Sequence, residues 1–334
     1  MSSGTQHASG PDTDECWHFD QLHTLLQVSE TSALQASDPE ALAGDMARSG
    51  VAAILCPEDV AAPLVRLMQR GTGNFLHWES GHEDCVTFPC AGIAAAYKRQ
   101  EVKQRLQLRA IASKSDDDTW RAGSDGNQVT VDLDRALGCL ETVALTCLGA
   151  CCTLAGIPCA QLLQQYGDRR HACTEVQVGK GKSVLNLYHY FNNASCEEEP
   201  CREHADPGLI TILCRSTNPA LQARAPVPPD ARPEWSKPGC DAAYERGWRG
   251  VEPAMDACAE RAGHASESGV VLIALVGETL ERLSAGRFLS CRHRVASAEG
   301  ERFNVAYELR PRMHLWLPWE RVASGQSTEP GRCT

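Results

Sequence analysis

Chemistry in this chain of 334 residues is most readable at His204-Ala205-Asp206, an imidazole and a carboxylate two positions apart, directly ahead of the apolar run PGLITILC. On a strand, residues i and i+2 point to the same side, so the two groups converge on one ion. Two histidines and one carboxylate on one face of a metal, with the remaining positions open, form the donor set that non-haem iron(II) uses for oxygen chemistry. The spacing alone is a weak signal, because His18-Phe19-Asp20 repeats it in a context that promises nothing further. A third ligand must come from elsewhere, and a single histidine is more often a solvated or hydrogen-bonded structural residue than a ligand. His77 and His82, in FLHWESGHEDC, have acids nearby that could complete a metal site, although a loop beside Trp78 is the plainer reading. His293, in GRFLSCRHRV, is the better candidate on the words around it.

The chain that must position these groups is ordinary in bulk. It is 43% hydrophobic and 22% charged, with length enough for a sizeable core in one large domain or two ordinary ones. Lys and Arg total 32 against 43 Asp and Glu, a formal net charge of −11. Phosphate backbones and anionic membrane surfaces are recognised mainly through Lys and Arg, so this balance argues against nucleic acid or a membrane surface as partner. The 17 cysteines are odd in number and lack paired CxxC units, and Cys147, Cys151 and Cys152 sit in an apolar helical run. Reduced, buried thiols acting as small hydrophobes fit this better than a zinc cluster or a disulfide framework. Met1 to Glu15 is polar, without the apolar stretch of a secretory signal, and no apolar run reaches the ~20 residues of a bilayer span. A reducing compartment, by default the cytoplasm, and a monomeric chain are the expectations.

Two textures divide the elements. Residues 1–15 form a small, polar tail expected to be disordered. Residues 16–180 read as a helical region packing on the core. DPEALAGDMARSG opens on an acidic turn and closes on Gly50, PEDVAAPLVRLMQRG repeats the design, and VAAILC between them is a strand. AAAYKRQEVKQRLQLRAI mixes a helical approach with a strand-like finish. Asp132 to Tyr166 is the longest helix, split at Pro158, and its broad apolar face calls for packing against a sheet. From Gly181 the texture becomes short β-branched or aromatic runs: SVLNLYHYF, LITILC, VVLIALVG and FNVAYELRP. The whole reads as an α+β fold, a double-stranded β-helix (jelly roll) over 181–311 buttressed by N-terminal helices. Within it, 216–268 reads as an insertion, with six prolines from Pro219 to Pro238. Residues 312–334 form a C-terminal tail whose Trp316 and Trp319 can fold back over the barrel.

The segment VVLIALVGETLERLSAGRFLSCRHRV resembles one in the plant-type 2-oxoglutarate- and iron(II)-dependent dioxygenases, the family that includes isopenicillin N synthase. That family has an apolar strand, Gly-Asp, a short helical turn, Asn-Gly-Arg, and a strand ending in His-Arg-Val. Here the positions are Gly277-Glu278, Ala285-Gly286-Arg287 and His293-Arg294-Val295. HADPGLITIL is similar to the family's HTDxGxLTLL. Arg302 opens RFNVAYELRP where the family has Arg-x-Ser and a strand ending in Pro, so Asn304 stands at the serine position. LNLYHYF is similar to LRxNYYP, with Tyr190 on the tyrosine that helps hold 2-oxoglutarate, Tyr188 on the asparagine and Phe191 on the proline. ALQAR and Trp248-x-x-Val251-Glu252-Pro253 resemble two further strands on either side of the Pro-rich stretch. The likeness is specific over roughly 181–311.

What the resemblance implies is concrete. His204, Asp206 and His293 would be the iron(II) ligands and the catalytic set, and 2-oxoglutarate the cosubstrate. Arg302 would pair with its far carboxylate as a planar fork, with Asn304 and Tyr190 beside it. Oxygen is the second cosubstrate and ascorbate a reductant. The implied reaction is oxidative decarboxylation to succinate and CO2 coupled to oxidation of a small-molecule substrate, by default hydroxylation, with desaturation, ring closure and demethylation on the same scaffold. The 216–268 stretch is expected near the barrel mouth as a substrate lid. His189, Arg292 and Arg294 are expected to point away from the site, and Glu278 to cap the following turn. Two other readings stay open: an iron oxidase of the same fold that does without 2-oxoglutarate, which Asn304 keeps alive, and a catalytically silent jelly-roll binding protein.

Overall fold

The strand Arg302–Leu309 shows how the chain divides core from cleft. Phe303, Val305, Tyr307 and Leu309 enter one apolar cluster, while Arg302, Asn304, Ala306 and Glu308 line a cleft on the other face. A pleated strand sends successive side chains to opposite sides, and here both sides are covered. The computed structural model describes residues 17–27, 34–75, 87–88, 93–110, 128–157, 183–191, 199–227, 231–232, 240–263 and 269–310.

In chain order the first elements are β1 (Leu22–Gln27), β2 (Leu34–Ala36), α1 (Pro39–Ser49), β3 (Val51–Pro57), α2 (Glu58–Arg70), β4 (Thr87–Phe88), β5 (Ile93–Arg99), β6 (Lys103–Ala110) and α3 (Gln128–Ala155). There follow β7 (Val184–Tyr190), β8 (Cys201–His204), β9 (Ile210–Cys214), β10 (Leu221–Ala223), β11 (Arg249–Gly250), α4 (Val251–Arg261), β12 (Gly269–Val276), α5 (Glu278–Leu283), β13 (His293–Val295) and β14 (Arg302–Leu309). A ten-stranded sheet runs β2-β1-β3-β12-β9-β14-β7-β6-β5-β4, and a four-stranded sheet runs β11-β10-β13-β8. Antiparallel pairing holds from β3 to β4 in the first and throughout the second, while β1 joins β3 in parallel.

Alternation along these strands builds two apolar layers. On one face of the larger sheet, Leu185, Leu187, Ile210, Ile212 and Leu272 meet Leu42 and Met46 of α1, Leu64 and Leu67 of α2, and Leu137, Leu140 and Val143 of α3. Each fully buried side chain of this kind stabilises by about 1.5–3 kcal/mol. Cys56, Cys139, Cys147, Cys151, Cys152 and Cys214 lie buried inside this layer, as small hydrophobes would. On the opposite face, Leu213, Ile273, Leu275 and Ala306 meet Leu221 and Ala223 of the smaller sheet and Val251 and Met255 of α4. Helix α1 starts where the Asp38 carboxylate accepts the Ala41 N–H at 2.9 Å and stops at Gly50, whose φ of 72° suits a residue without Cβ.

Several expectations are corrected. The stretch 16–180 is not simply helical: beside α1 to α3 it supplies β1 to β6, the three strands at each end of the larger sheet. AAAYKRQEVKQRLQLRAI has no helical approach and folds as the β5–β6 hairpin. In it Leu106 and Leu108 are buried between exposed or half-buried polar neighbours, a period of two that the charged flanks disguise. Nor is 216–268 an insertion throughout, since β10 and β11 pair with each other inside the smaller sheet and five of the six prolines lie between them in sequence. Val251-Glu252-Pro253 opens α4 instead of continuing a strand, because Pro253 in a first turn lacks only a donor that the helix does not need. Val131–Ala155 is apolar and long enough to cross a bilayer, contrary to the reading of the sequence, yet its Leu137, Leu140, Val143 and Leu148 are buried in the core. The tail 1–15, His77, His82, Pro158, Trp316 and Trp319 lie outside the described residues.

Helix α3 is tied to α2 by Asp132, which is fully buried and accepts from Arg66 Nε at 2.8 Å and Arg70 Nη2 at 3.1 Å. Replacing Asp132 by Ala is expected to lower stability by about 1–2 kcal/mol, a discounted figure because both arginines reach solvent. A lower urea midpoint with unchanged metal affinity would confine the pair to the helical layer.

Candidate metal centre

Register brings the two histidines together. In the smaller sheet β13 pairs with β8 so that His293 lies opposite His204, with ring centroids 4.3 Å apart. Asp206, two residues past His204, has Oδ1 3.6 Å from His204 Nε2 and Oδ2 4.0 Å from His293 Nε2. One ligand atom from each of the three residues lies within 4.8 Å of the others. His204 Nδ1 bonds the Arg202 carbonyl at 2.9 Å and His293 Nδ1 the Cys291 carbonyl at 3.1 Å. Those bonds turn both Nε2 atoms toward the carboxylate, the outer support that a metal-binding imidazole needs. The Thr211 hydroxyl donates to Asp206 Oδ2 at 2.5 Å and fixes the third group. Two imidazoles and one carboxylate fit a mid-row divalent ion such as iron(II).

The loop carrying Asp206 is clamped by the turn that ends β12. Gly277 N donates to Leu209 O, Glu278 N to Asp206 O and Thr279 N to Gly208 O at 2.9, 2.8 and 3.0 Å, and the Thr279 hydroxyl donates to Pro207 O at 2.6 Å. A Cβ at Gly277 would collide with the Gly208 carbonyl and lie 3.1 Å from that of Asp206. Glu278 therefore serves through its backbone, and its side chain pairs with Arg282 at 3.5 Å.

Charge in the centre is arranged for ligation. Burial alone would raise the Asp206 carboxyl, but the His293 ring and the hydrogen bonds from His204 and Thr211 outweigh it and hold the group well below the usual carboxylate range. Burial keeps the His293 ring below its ordinary value, against the pull of Asp206. His204 goes the other way: burial opposes its charge, yet bonds to Asp206 and Cys201 raise it to about 11. The Cys201 thiol, 3.9 Å from His204 Nδ1, is lowered by that same bond against the effect of burial.

The triad opens on a cleft of about 550 Å³, its open mouth included, between the two sheets. Across β14 and β7, Arg302 stands opposite Tyr190 and Asn304 opposite Tyr188, all four on the cleft wall. Arg302 is 2% exposed, its guanidinium carbon 5.3 Å from the Tyr190 ring centroid. Its Nε is buried without a partner among the described residues, so a donor remains for an anion in the cleft. Burial pushes the Tyr190 phenol well above its ordinary value, which keeps it a donor. Asn304 commits one amide N–H to the Cys214 carbonyl at 2.6 Å, which anchors it to β9.

Other sequence candidates fall away from the cleft. His18 and Asp20 form an exposed pair 3.5 Å apart. His189 packs on the helical side against Phe75 and bonds Gln104 at 2.9 Å. Arg294 lies over the Trp248 ring, and Arg292 over that of Tyr244. Two acids on or behind the cleft were not singled out as site residues in the sequence: Glu308 on its wall, and Glu252, whose Oε1 is 3.6 Å from Arg302 Nη2. The strand alternation Arg302, Asn304, Ala306, Glu308 was a signal for the first.

Two outcomes are expected. Gly277→Ala should displace the Asp206 loop, lowering the melting temperature and weakening Mn(II) binding together; intact metal affinity would refute the clamp. Metal binding should release one proton, because His204 carries it at neutral pH while His293 and Asp206 carry none. Mn(II) affinity should thus rise by roughly tenfold per pH unit from about pH 6.5 to 8.5, and a flat profile would contradict the assignment.

No protein-family profile matches the chain, and no curated protein matches it in sequence. Solved structures do. The dioxygenase for auxin oxidation 1 from Arabidopsis thaliana, in its binary complex with 2-oxoglutarate, is 15% identical with a TM-score of 0.53, covering 90% of this chain and 96% of that one. Full-length Neurospora crassa T7H, in complex with alpha-KG and 5-formyluracil, is 16% identical with a TM-score of 0.50, covering 86% of this chain and 87% of that one. At such identities the likeness speaks for architecture: this chain has the fold of the 2-oxoglutarate-binding oxygenases that its motifs resemble.

Proposed function

We propose that this chain is a non-haem iron(II)- and 2-oxoglutarate-dependent dioxygenase with a jelly-roll core, which oxidises a small molecule, by default through hydroxylation, and releases succinate and CO2. One observation carries the reading: His204, Asp206 and His293 converge on the same cleft in which buried Arg302 keeps an unpaired donor. Iron(II), when bound, supplies the activation of oxygen and the oxidising power, with ascorbate as a reductant. The chain's residues do the rest. Arg302 binds the distal carboxylate of 2-oxoglutarate through its planar fork, and the Tyr190 hydroxyl and the second N–H of Asn304 are within the same wall to assist. Leu213, Leu221, Val295 and Ala306 give the cleft an apolar lining that limits water near the reacting groups.

A second reading, an oxidase that does without 2-oxoglutarate, has two observations in its favour: Asn304 is partly committed to Cys214, and Arg302 already faces Glu252. Iron(II)-loaded protein given 2-oxoglutarate is expected to form succinate slowly even without a prime substrate. His293→Ala should abolish this and weaken metal binding. Arg302→Met should raise the KM for 2-oxoglutarate by about 30-fold or more while leaving metal affinity in place. Wild-type protein that binds iron but forms no succinate would favour the oxidase.

A further inference from the structure

Glu252 is fully buried in the first turn of α4, outside the metal centre. Its Oε1 accepts from Ser216 N at 2.8 Å and from the Ser216 hydroxyl, and its Oε2 accepts from Ala220 N at 2.8 Å and Leu221 N at 3.0 Å. Four donors from the connection between β9 and β10 therefore lock both oxygens, and none of them is Arg302. Arg302 Nη2 lies 3.6 Å from Oε1, beyond good hydrogen-bond distance yet close enough for a strong Coulomb attraction away from water. A neutral amide would offer its single oxygen to one pair of these donors and set its NH2 against the other pair, so the hydrogen bonds call for a carboxylate, and Arg302 is the charge that compensates it. A carboxylate with no exposure is tolerated only beside a charge, and a guanidinium 2% exposed has the same need. Burial works against ionised Glu252, but Arg302 and the hydrogen bonds more than reverse it.

We propose that Glu252 is a resident counter-ion of Arg302, which holds the guanidinium in place when no cosubstrate is present and weakens the hold of the site on the distal carboxylate of 2-oxoglutarate. The inference rests on the 2-oxoglutarate reading above. A carboxylate arriving at Arg302 meets a second carboxylate that cannot withdraw, since its oxygens are pinned by the backbone of 216–221. The two anions share one cation. Affinity is lower than an uncompensated arginine would give, and the empty pocket is more stable than it would be around a lone buried charge.

Full-length protein loaded with Mn(II), which needs no exclusion of air, tests this by 2-oxoglutarate titration and thermal melting. Glu252→Gln, close in shape and without the charge, should melt lower in the absence of 2-oxoglutarate and gain more from its addition than wild type. Its Kd for 2-oxoglutarate should fall by about tenfold. An unchanged or higher Kd overturns the proposal and leaves Glu252 as a cap for the loop. Should Glu252→Gln fail to fold, Glu252→Asp keeps the charge but draws it back by one methylene. It should bind 2-oxoglutarate about threefold more tightly, and weaker binding overturns the proposal equally. Loss of any 2-oxoglutarate response in Mn(II)-loaded wild type removes the parent reading and this one together, whereas a wild-type response without gain in either variant removes this one alone.

Discussion

The backbone of Gly277, Glu278 and Thr279 reaches across to the carbonyls of Asp206, Gly208 and Leu209, and the position of the candidate metal centre depends on that contact. β8 ends at His204 at the edge of the smaller sheet, and β9 begins at Ile210 in the middle of the larger one. The loop between them crosses from one sheet to the other carrying Asp206, so without a second attachment its carboxylate would swing. The attachment comes from the end of β12, a neighbour of β9. Gly277 has no room for a methyl group against the Gly208 carbonyl, which is what lets the two backbones approach, and Gly208 in turn has none against Leu309 and Glu308 of β14. Thr211, one residue into β9, then fixes the carboxylate from below. Placement of the aspartate is thus inherited from the larger sheet, and that of both histidines from the smaller.

Legibility in the sequence followed chemical restriction. His204 and Asp206 could be read as a candidate pair because strand geometry limits their spacing, and His293 because the words around it resemble a known family. Arg302 could be read because RFNVAYELRP resembles the family's Arg-x-Ser strand. The strand runs after Gly181 were visible as short β-branched or aromatic stretches, and β7, β9, β12 and β14 lie where those runs lie. Harder to see was β6, where Lys103, Arg105 and Gln107 separate the inward leucines and imitate a charged helix face. Glu252 was quoted within a motif without a role, since an acid acquires one only when the fold sets it 3.6 Å from a buried arginine. The anchoring of Asn304 to the Cys214 carbonyl depends equally on a partner far off in the chain.

Four buried or half-buried charges gather at one wall. Arg302 and Glu308 on β14, Asp206 on the crossing loop and Glu252 behind them are each 16% or less exposed at the side chain. Such groups cost stability unless they are paired, and each has its partner: Glu252 for Arg302, Arg310 for Glu308, the histidines for Asp206. The opposite wall of the same strands is apolar and closed by α1 to α3, so the helical layer offsets what the polar wall costs.

That division of labour along β14 has an evolutionary consequence. Odd-numbered positions from Phe303 to Leu309 belong to the core, and even-numbered ones from Arg302 to Glu308 belong to the cleft. Inheritance can therefore act on the two sets separately. Point changes at Ala306 or Glu308 act on the cleft side, where Ala306 also packs in the second apolar layer, and leave the helical-side core alone, whereas inserting or deleting one residue anywhere in the strand exchanges the sets and destroys both. A lineage carrying this strand is free to drift in chemistry by substitution, and is forbidden to do so by changing its length.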